Sequence, residues 1–291
     1  VNEDSVTFID GLGEEQTVKK NPTVVVGIYT SLVDAWMANG GHIEGITQWG
    51  GMDIPGIENA EIIGTAAAPD LEKVVSMQPD LAIASTGGYH AELRKFLTEN
   101  EIPYLVYQLK VMEDYIYISK VIAEITGDEE AYQKNCVDVI KRVFQITEYV
   151  KDNVDKQPRV LVLSSTPGNA MMRLNTSPNG KKLDRLGAIN IITEGEDYQP
   201  LNMEKVLIED PDIIIIQANP SRADGGFKSQ EETDKAVMDA FEKDSAWNSL
   251  TAVKNNKIVM LPRNLFYYIP NDRFDEAYEF IAKAVYPELF E

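Results

Sequence analysis

Glu72 and Glu204 occupy the same place in two copies of one short pattern. The first copy reads Leu71-Glu72-Lys73-Val74-Val75 with Pro79-Asp80 following, and the second reads Met203-Glu204-Lys205-Val206-Leu207 with Pro211-Asp212 following. The step from glutamate to proline is the same in both, 72 to 79 and 204 to 211. Two carboxylates held at matching points of a rigid body give register and orientation to a cationic partner, while each exposed ion pair adds only modest affinity. Each glutamate also suits a plain structural role, at a helix start favoured by the macrodipole behind the N-caps Asp70 and Asn202. A second set of chemically active types falls in loops that follow apolar runs. These are Tyr29, Trp49, Tyr89, His90 and Lys110 in the first half, and Met172, Arg173, Tyr198, Arg263, Tyr267 and Tyr268 in the second. The aromatics suit a large flat or apolar ligand, and Arg173 and Arg263 would pair with its carboxylates. His90, beside Gly87-Gly88, is the better metal-ligand candidate of two histidines, since His42 next to Gly41 reads as a turn residue. A single histidine makes a poor cage, which disfavours direct binding of a bare transition-metal ion. Packing offers a plainer role for others: Trp49 and Tyr267 against their own lobe, Met171-Met172 in a core.

The elements that must position these residues follow from the same pattern. Proline disfavours the α conformation in the residue before it, so each Pro-Asp pair closes a short helix. The apolar runs that follow, Leu81 to Ala84 and Ile213 to Ile216, suit parallel strands covered on both faces. Val24 to Ile28 and Val160 to Leu163 are further buried strands at corresponding places. The chain therefore reads as α/β, two Rossmann-like lobes with central mainly parallel sheets joined by one long helix, preceded by a β-hairpin around Asp10-Gly11 and Gly13. The expected boundaries are 1–126 for the first lobe, 127–156 for the connecting helix and 157–291 for the second lobe. A helix of roughly 24 residues spans about 36 Å and would hold the lobes at a nearly fixed separation. Ligands of open α/β sheets bind beyond the carboxyl ends of the strands, which directs attention to the loops named above and to Ser164-Ser165-Thr166 and Gln217 to Asn219.

Composition sets bounds. The 291 residues carry a net charge of −20 spread along the chain, so a nucleic-acid or anionic-lipid surface is excluded as the expected partner. Cys136 is the only cysteine, which rules out a disulfide within the chain, and it reads as a small helix-packing residue. No apolar stretch approaches the ~20 residues that cross a bilayer, and no basic-then-apolar signal segment opens the chain. The start at Val1 reads as a trimmed form.

With both Glu-Lys-Val/Pro-Asp units, Pro103 in Asn100-Glu101-Ile102-Pro103, Glu124-Ile125-Thr126-Gly127, and Trp247 to Asn255 followed by Lys257-Ile258-Val259, the chain resembles a known family. These are the substrate-binding proteins of ABC importers for iron-siderophore complexes, haem and cobalamin, the class with a helical connector. The tail Tyr286-Pro287-Glu288-Leu289-Phe290 completes the likeness, which spans nearly the whole chain. The resemblance implies a monomeric extracytoplasmic receptor with no intrinsic cofactor, lipid-anchored or periplasmic, that captures an iron chelate between its lobes. It also implies that Glu72 and Glu204 dock against arginines of the permease. Two departures narrow the ligand. The loops Gly64 to Ala68 and Thr86-Gly87-Gly88 lack the lysines and arginines with which relatives hold tris-catecholates. Thr65 stands after Gly64 where many haem binders place a tyrosine. A corrinoid or an oxyanion is the alternative cargo. The rival class is a chelatase-like enzyme on the same architecture, for which only His90 with Glu92 offers a His/Glu pair. A dinucleotide fingerprint is absent, since Gly11-Leu12-Gly13 lacks a third glycine and precedes no helix.

Overall fold

The computed structural model describes residues 4–48, 54–220, 222–223 and 226–290. The chain divides into two compact units, Val1–Val139 and Ile140–Glu291. In the first, the hairpin β1 (Ser5–Ile9) and β2 (Glu15–Lys19) precedes β3 (Val25–Gly27), α1 (Thr30–Ala38), β4 (Gly45–Gln48), β5 (Glu61–Thr65) and β6 (Ala68–Pro69). Then come α2 (Leu71–Ser76), β7 (Leu81–Ala84), α3 (Ala91–Glu99), β8 (Tyr104–Val106) and α4 (Met112–Thr126). The sheet order is β6-β5-β4-β3-β7-β8, parallel except at β6. Every residue of β3 and β7 is buried, as strands covered on both faces require. Burying each large aliphatic side chain of this kind contributes roughly 1.5–3 kcal/mol.

Gly127 ends α4 in the left-handed region at φ 74°, and Asp128 caps the next helix by accepting from the Ala131 N–H at 2.9 Å. Helical structure then runs through α5 (Glu129–Tyr132), a π-turn at Gln133–Val137 and α6 (Asp138–Asn153), and the boundary between units falls within α6. Cys136 is buried in the π-turn, and burial pushes its thiol up to about 11.

The second unit continues with β9 (Arg159–Thr166), β10 (Asn169–Met172), α7 (Pro178–Arg185), β11 (Ile189–Asn190), β12 (Gln199–Pro200), α8 (Met203–Glu209) and β13 (Ile213–Ala218). After the small hairpin β14 (Arg222–Ala223) and β15 (Gly226–Phe227) follow α9 (Gln230–Phe241), α10 (Ser245–Ser249), α11 (Thr251–Lys254), β16 (Ile258–Met260), α12 (Arg263–Phe266) and α13 (Phe274–Val285). Strands β11, β9, β13 and β16 pair in parallel, whereas β10 folds back antiparallel on β9. That hairpin departs from the expected loop at Met171-Met172-Arg173. It also carries Met172 into the core, 2% exposed among Leu161, Leu163 and Val206, so Met172 packs the unit and is not available to a ligand.

The Pro-Asp aspartates have a structural duty in both units. The Thr23 N–H, Thr23 hydroxyl and Val24 N–H donate to Asp80 Oδ2 at 2.7, 2.6 and 3.0 Å, while the Asp80 N–H donates to Val24 O at 2.8 Å. The Arg159 N–H donates to Asp212 Oδ2 at 2.9 Å and the Asp212 N–H to Arg159 O at 2.8 Å. Each aspartate thus ties the start of its own strand to the start of the neighbouring one. The Thr23 hydroxyl, with the N–H groups of Thr23 and Val24, holds the Asp80 carboxyl below the usual carboxylate range. Its contribution is present above the unfolded carboxyl's pKa of about 3.9 and is lost as pH falls through the lower folded value. Asp80→Asn is expected to lose about 1 kcal/mol in urea unfolding at neutral pH, allowing for solvent screening, with the gap from wild type closing in acid.

Candidate functional site

In the first unit the loop after β7 is a closed network. The Ser85 N–H donates to His90 Nδ1 at 3.0 Å, which leaves the hydrogen on Nε2, and this points at Ala66 O at 3.2 Å. Arg94 donates to Ser85 O and Gly87 O, at 2.7 and 3.1 Å, and the Gly87 N–H donates to Ser85 Oγ at 3.0 Å. His90 is 1% exposed, and burial holds its pKa below the ordinary imidazole value. Both ring nitrogens are engaged, so His90 is a neutral pin between the Ser85 and Ala66 loops. The metal-ligand expectation for it finds no support in this geometry. Among the described residues no group of three or more histidine, cysteine or acidic side chains is placed to hold a metal ion.

Tyr29 is half-buried at the start of α1, and Tyr89 lies in the 3-10 turn Gly88–His90. Trp49 lies outside the described residues. At the end of β8, Tyr107 packs against Tyr117 with ring centroids 5.7 Å apart, and Thr86 donates to Gln108 Oε1 at 3.4 Å. Tyr107 sits where the sequence shows only the last residue of a strand, and nothing in the pattern singles it out. Lys110 is exposed.

In the second unit the two expected ligand-binding arginines are already committed. Arg173 grips Asp197 with a fork, Nε to Oδ1 at 3.0 Å and Nη2 to Oδ2 at 2.9 Å, and its guanidinium lies 4.9 Å from the Tyr198 ring centroid. Burial pushes the Asp197 carboxyl up, but the Arg173 hydrogen bond, the Leu174 N–H and the guanidinium charge together outweigh it and hold the group low. Tyr198 has φ 74° and is half exposed, so its ring is presented from a left-handed backbone position. Arg263 donates to Lys228 O, Ser229 O and Thr233 Oγ1 at 2.9, 3.3 and 3.0 Å, pinning the start of α9. Tyr267 and Tyr268 follow α12 and meet edge to face at 4.9 Å. Of the three cations expected to meet the ligand, Lys110 alone is exposed and outside such a network. Polar neutral groups hold the strand ends instead: Gln217 donates to Asn219 Oδ1 at 2.9 Å, and Asn219 to Ser164 Oγ at 2.8 Å.

Glu72 and Glu204 are both exposed in the first turns of α2 and α8. Asp70 and Asn202 cap those helices, accepting from the Lys73 and Lys205 N–H groups at 3.0 and 3.1 Å.

A sequence profile of the family described as "Periplasmic binding protein" matches residues 59–265. The chain belongs to that family. The iron-uptake system-binding protein of Bacillus subtilis is 26% identical over 257 residues, covering 84% of this chain and 75% of its own. The high-affinity heme uptake system protein IsdE of Staphylococcus aureus is 26% identical over 219 residues, 74% of this chain and 70% of its own. The crystal structure of S. aureus IsdE complexed with heme matches with a TM-score of 0.73 at 19% identity, covering 90% of this chain and 98% of that one. The catecholate-siderophore binding protein VctP of Vibrio cholerae matches with a TM-score of 0.73 at 17% identity, covering 97% and 99%. These structural likenesses establish the fold, and with it the α/β class read from the repeated units.

The His90 pin makes the stability of the fold depend on pH. Because the folded state prefers neutral imidazole, its contribution is complete above the unfolded pKa of about 6.5 and is lost as pH falls below that value. His90→Ala leaves the buried Ser85 N–H unpaired and is expected to cost about 1–3 kcal/mol at pH 7.5. Urea melts between pH 5 and 7.5 are expected to show a flatter pH dependence for the variant than for wild type.

Proposed function

We propose that the protein is an extracytoplasmic receptor that captures an iron chelate at the carboxyl ends of its strands and delivers it to the permease of an ABC importer. The observation that carries this reading is the chemistry of the strand ends: aromatic rings and neutral amide and hydroxyl groups, with Arg263 engaged on the start of α9 and Arg173 set back along the sheet. Such a surface suits a cargo whose charge is already largely neutralised, as it is when a chelator wraps a ferric ion or a porphyrin holds it. Family membership supports a binding and delivery role with no bond made or broken. The named relatives support iron: an iron-uptake system-binding protein, an Fe(3+)-citrate-binding protein and a haem uptake protein. They favour an iron chelate or haem over a corrinoid or an oxyanion.

The protein works as a monomer, in which the ligand favours a closed arrangement by its differential contacts. Glu72 and Glu204 are the docking pegs. Exposed Val75 on α2, and exposed Leu207 and Ile208 on α8, lie within a turn of these carboxylates and add apolar surface for a partner to cover. Attachment outside the cytoplasmic membrane, by a lipid anchor or by confinement to the periplasm, follows from the delivery role.

Tryptophan fluorescence titration against ferric citrate, haem and a ferric hydroxamate is expected to show saturable 1:1 quenching by one of them. Flat responses to all would contradict the reading. In vesicles reconstituted with the cognate permease, the double variant Glu72→Ala, Glu204→Ala is expected to keep wild-type affinity and lose transport. Transport at the wild-type rate would remove the docking role.

A further inference from the structure

Helix α7 buries a lysine. Ser177 caps the helix by accepting from the Gly180 N–H at 3.0 Å, and Pro178 opens it. Asn179 and Lys182 then share one face, 6% and 4% exposed. A side chain at position 180 would not fit, since a Cβ there would meet Leu174 O at 2.0 Å. The Lys182 amine lies 3.3 Å from Pro178 O and 3.5 Å from Asn179 Oδ1, with the rings of Phe266 and Phe274 at 5.6 and 5.7 Å. Burial, with no carboxylate among the causes, draws its pKa down to about 7. An apolar side chain of the same length would fill this place at lower cost, so the amine calls for an explanation.

The explanation lies in what the amine begins. Asn179 Nδ2 donates to Gln217 Oε1 at 2.7 Å, Gln217 Nε2 donates to Asn219 Oδ1 at 2.9 Å, and Asn219 Nδ2 donates to Ser164 Oγ at 2.8 Å. Each amide has an accepting end and a donating end, so the orientation of the first fixes all that follow. At the far end the Ser164 hydroxyl can accept or donate and would tolerate either direction. At the near end the Lys182 amine, when protonated as it is below its pKa of about 7, can only donate. The direction of the chain is therefore set at Lys182. It runs to Asn219, half-buried just beyond β13, where one hydrogen of Nδ2 is used on Ser164 and the second meets no acceptor among the described residues.

We propose that Lys182 is a positioning residue that, through Asn179 and Gln217, fixes Asn219 with its amide nitrogen as a hydrogen-bond donor to an oxygen of the bound chelate. This rests on the reading that the ligand lies at the strand ends. It specifies a carboxylate, hydroxamate or catecholate oxygen met by a neutral donor, in a unit whose arginines 173 and 263 are committed elsewhere.

Two variants of the full chain test it. Lys182→Met removes the donor and keeps the volume. Asn179→Asp keeps the lysine and gives it a carboxylate, but an aspartate can only accept, so Gln217 must turn to donate to it and Asn219 must turn in consequence. The side-chain amide signals of Asn219 are followed by 15N NMR without ligand at a pH of about 6, where the ammonium carries its proton, with Asn219→Asp providing the assignment. Ferric citrate, a ferric hydroxamate and haem are the binding probes. Both variants are expected to move the Asn219 amide signals and to weaken whichever probe wild type binds by roughly tenfold or more. Unmoved amide signals in both variants would overturn the proposal, as would moved signals with wild-type affinity. Binding of none of the three probes by wild type would overturn the ligand reading beneath it, while the amide signals would still decide the direction of the chain, so the two failures are distinguishable.

Discussion

The sheet register of each unit depends on one aspartate at the entrance of a central strand. Asp80 and Asp212 each accept from the backbone of the neighbouring strand and donate their own N–H back to it. A parallel pair has no tight turn to set its register, so a side-chain latch of this kind does the work a hairpin does in an antiparallel pair. A slip of one residue would exchange the side chains packed on the two covered faces of β7 and β13. It would also displace every loop at the carboxyl ends, where the candidate ligand groups lie. The latches sit at the opposite end of the strands from the site they register.

At those carboxyl ends the polar groups largely satisfy one another. His90 joins two loops of the first unit, Arg263 is closed on the start of α9, and Gln217, Asn219 and Ser164 form a directed chain. Arg173, closed on Asp197, lies back along the sheet, because β10 runs antiparallel to β9 and the Arg173 N–H donates to Val162 O. Such preorganisation lowers the ordering cost of binding and leaves a surface of aromatic rings and neutral donors. A surface of that kind discriminates by shape and by the placing of acceptor oxygens. It is less suited to a bare cation, which would need carboxylates or several imidazoles at one point.

Much of the frame was legible in the sequence, because it is written in local signals. Asp70 and Asn202 before the two glutamates, Pro79 and Pro211 before the buried runs, and Gly127 after α4 each specify a boundary through backbone chemistry that neighbours decide. The site was less legible. Arg173 reads as a free cation because its partner Asp197 lies 24 residues further on, and Met172 reads as a loop residue because β10 exists only by pairing with β9. Lys182 carries no signal of its own in the sequence, because its burial depends on Phe266 and Phe274 from distant elements. Tertiary pairing decides these cases, and periodicity carries no trace of it.

The most direct measurement is an anomalous difference map at the iron edge from crystals grown with the chelate that binds. The account predicts one iron peak beyond the carboxyl ends of β9 and β13, with the chelator supplying its coordination and Asn219 in hydrogen-bonding reach of a chelator oxygen. An iron peak coordinated by His90, or one at the amino-terminal ends of the strands beside Asp80 or Asp212, would contradict it.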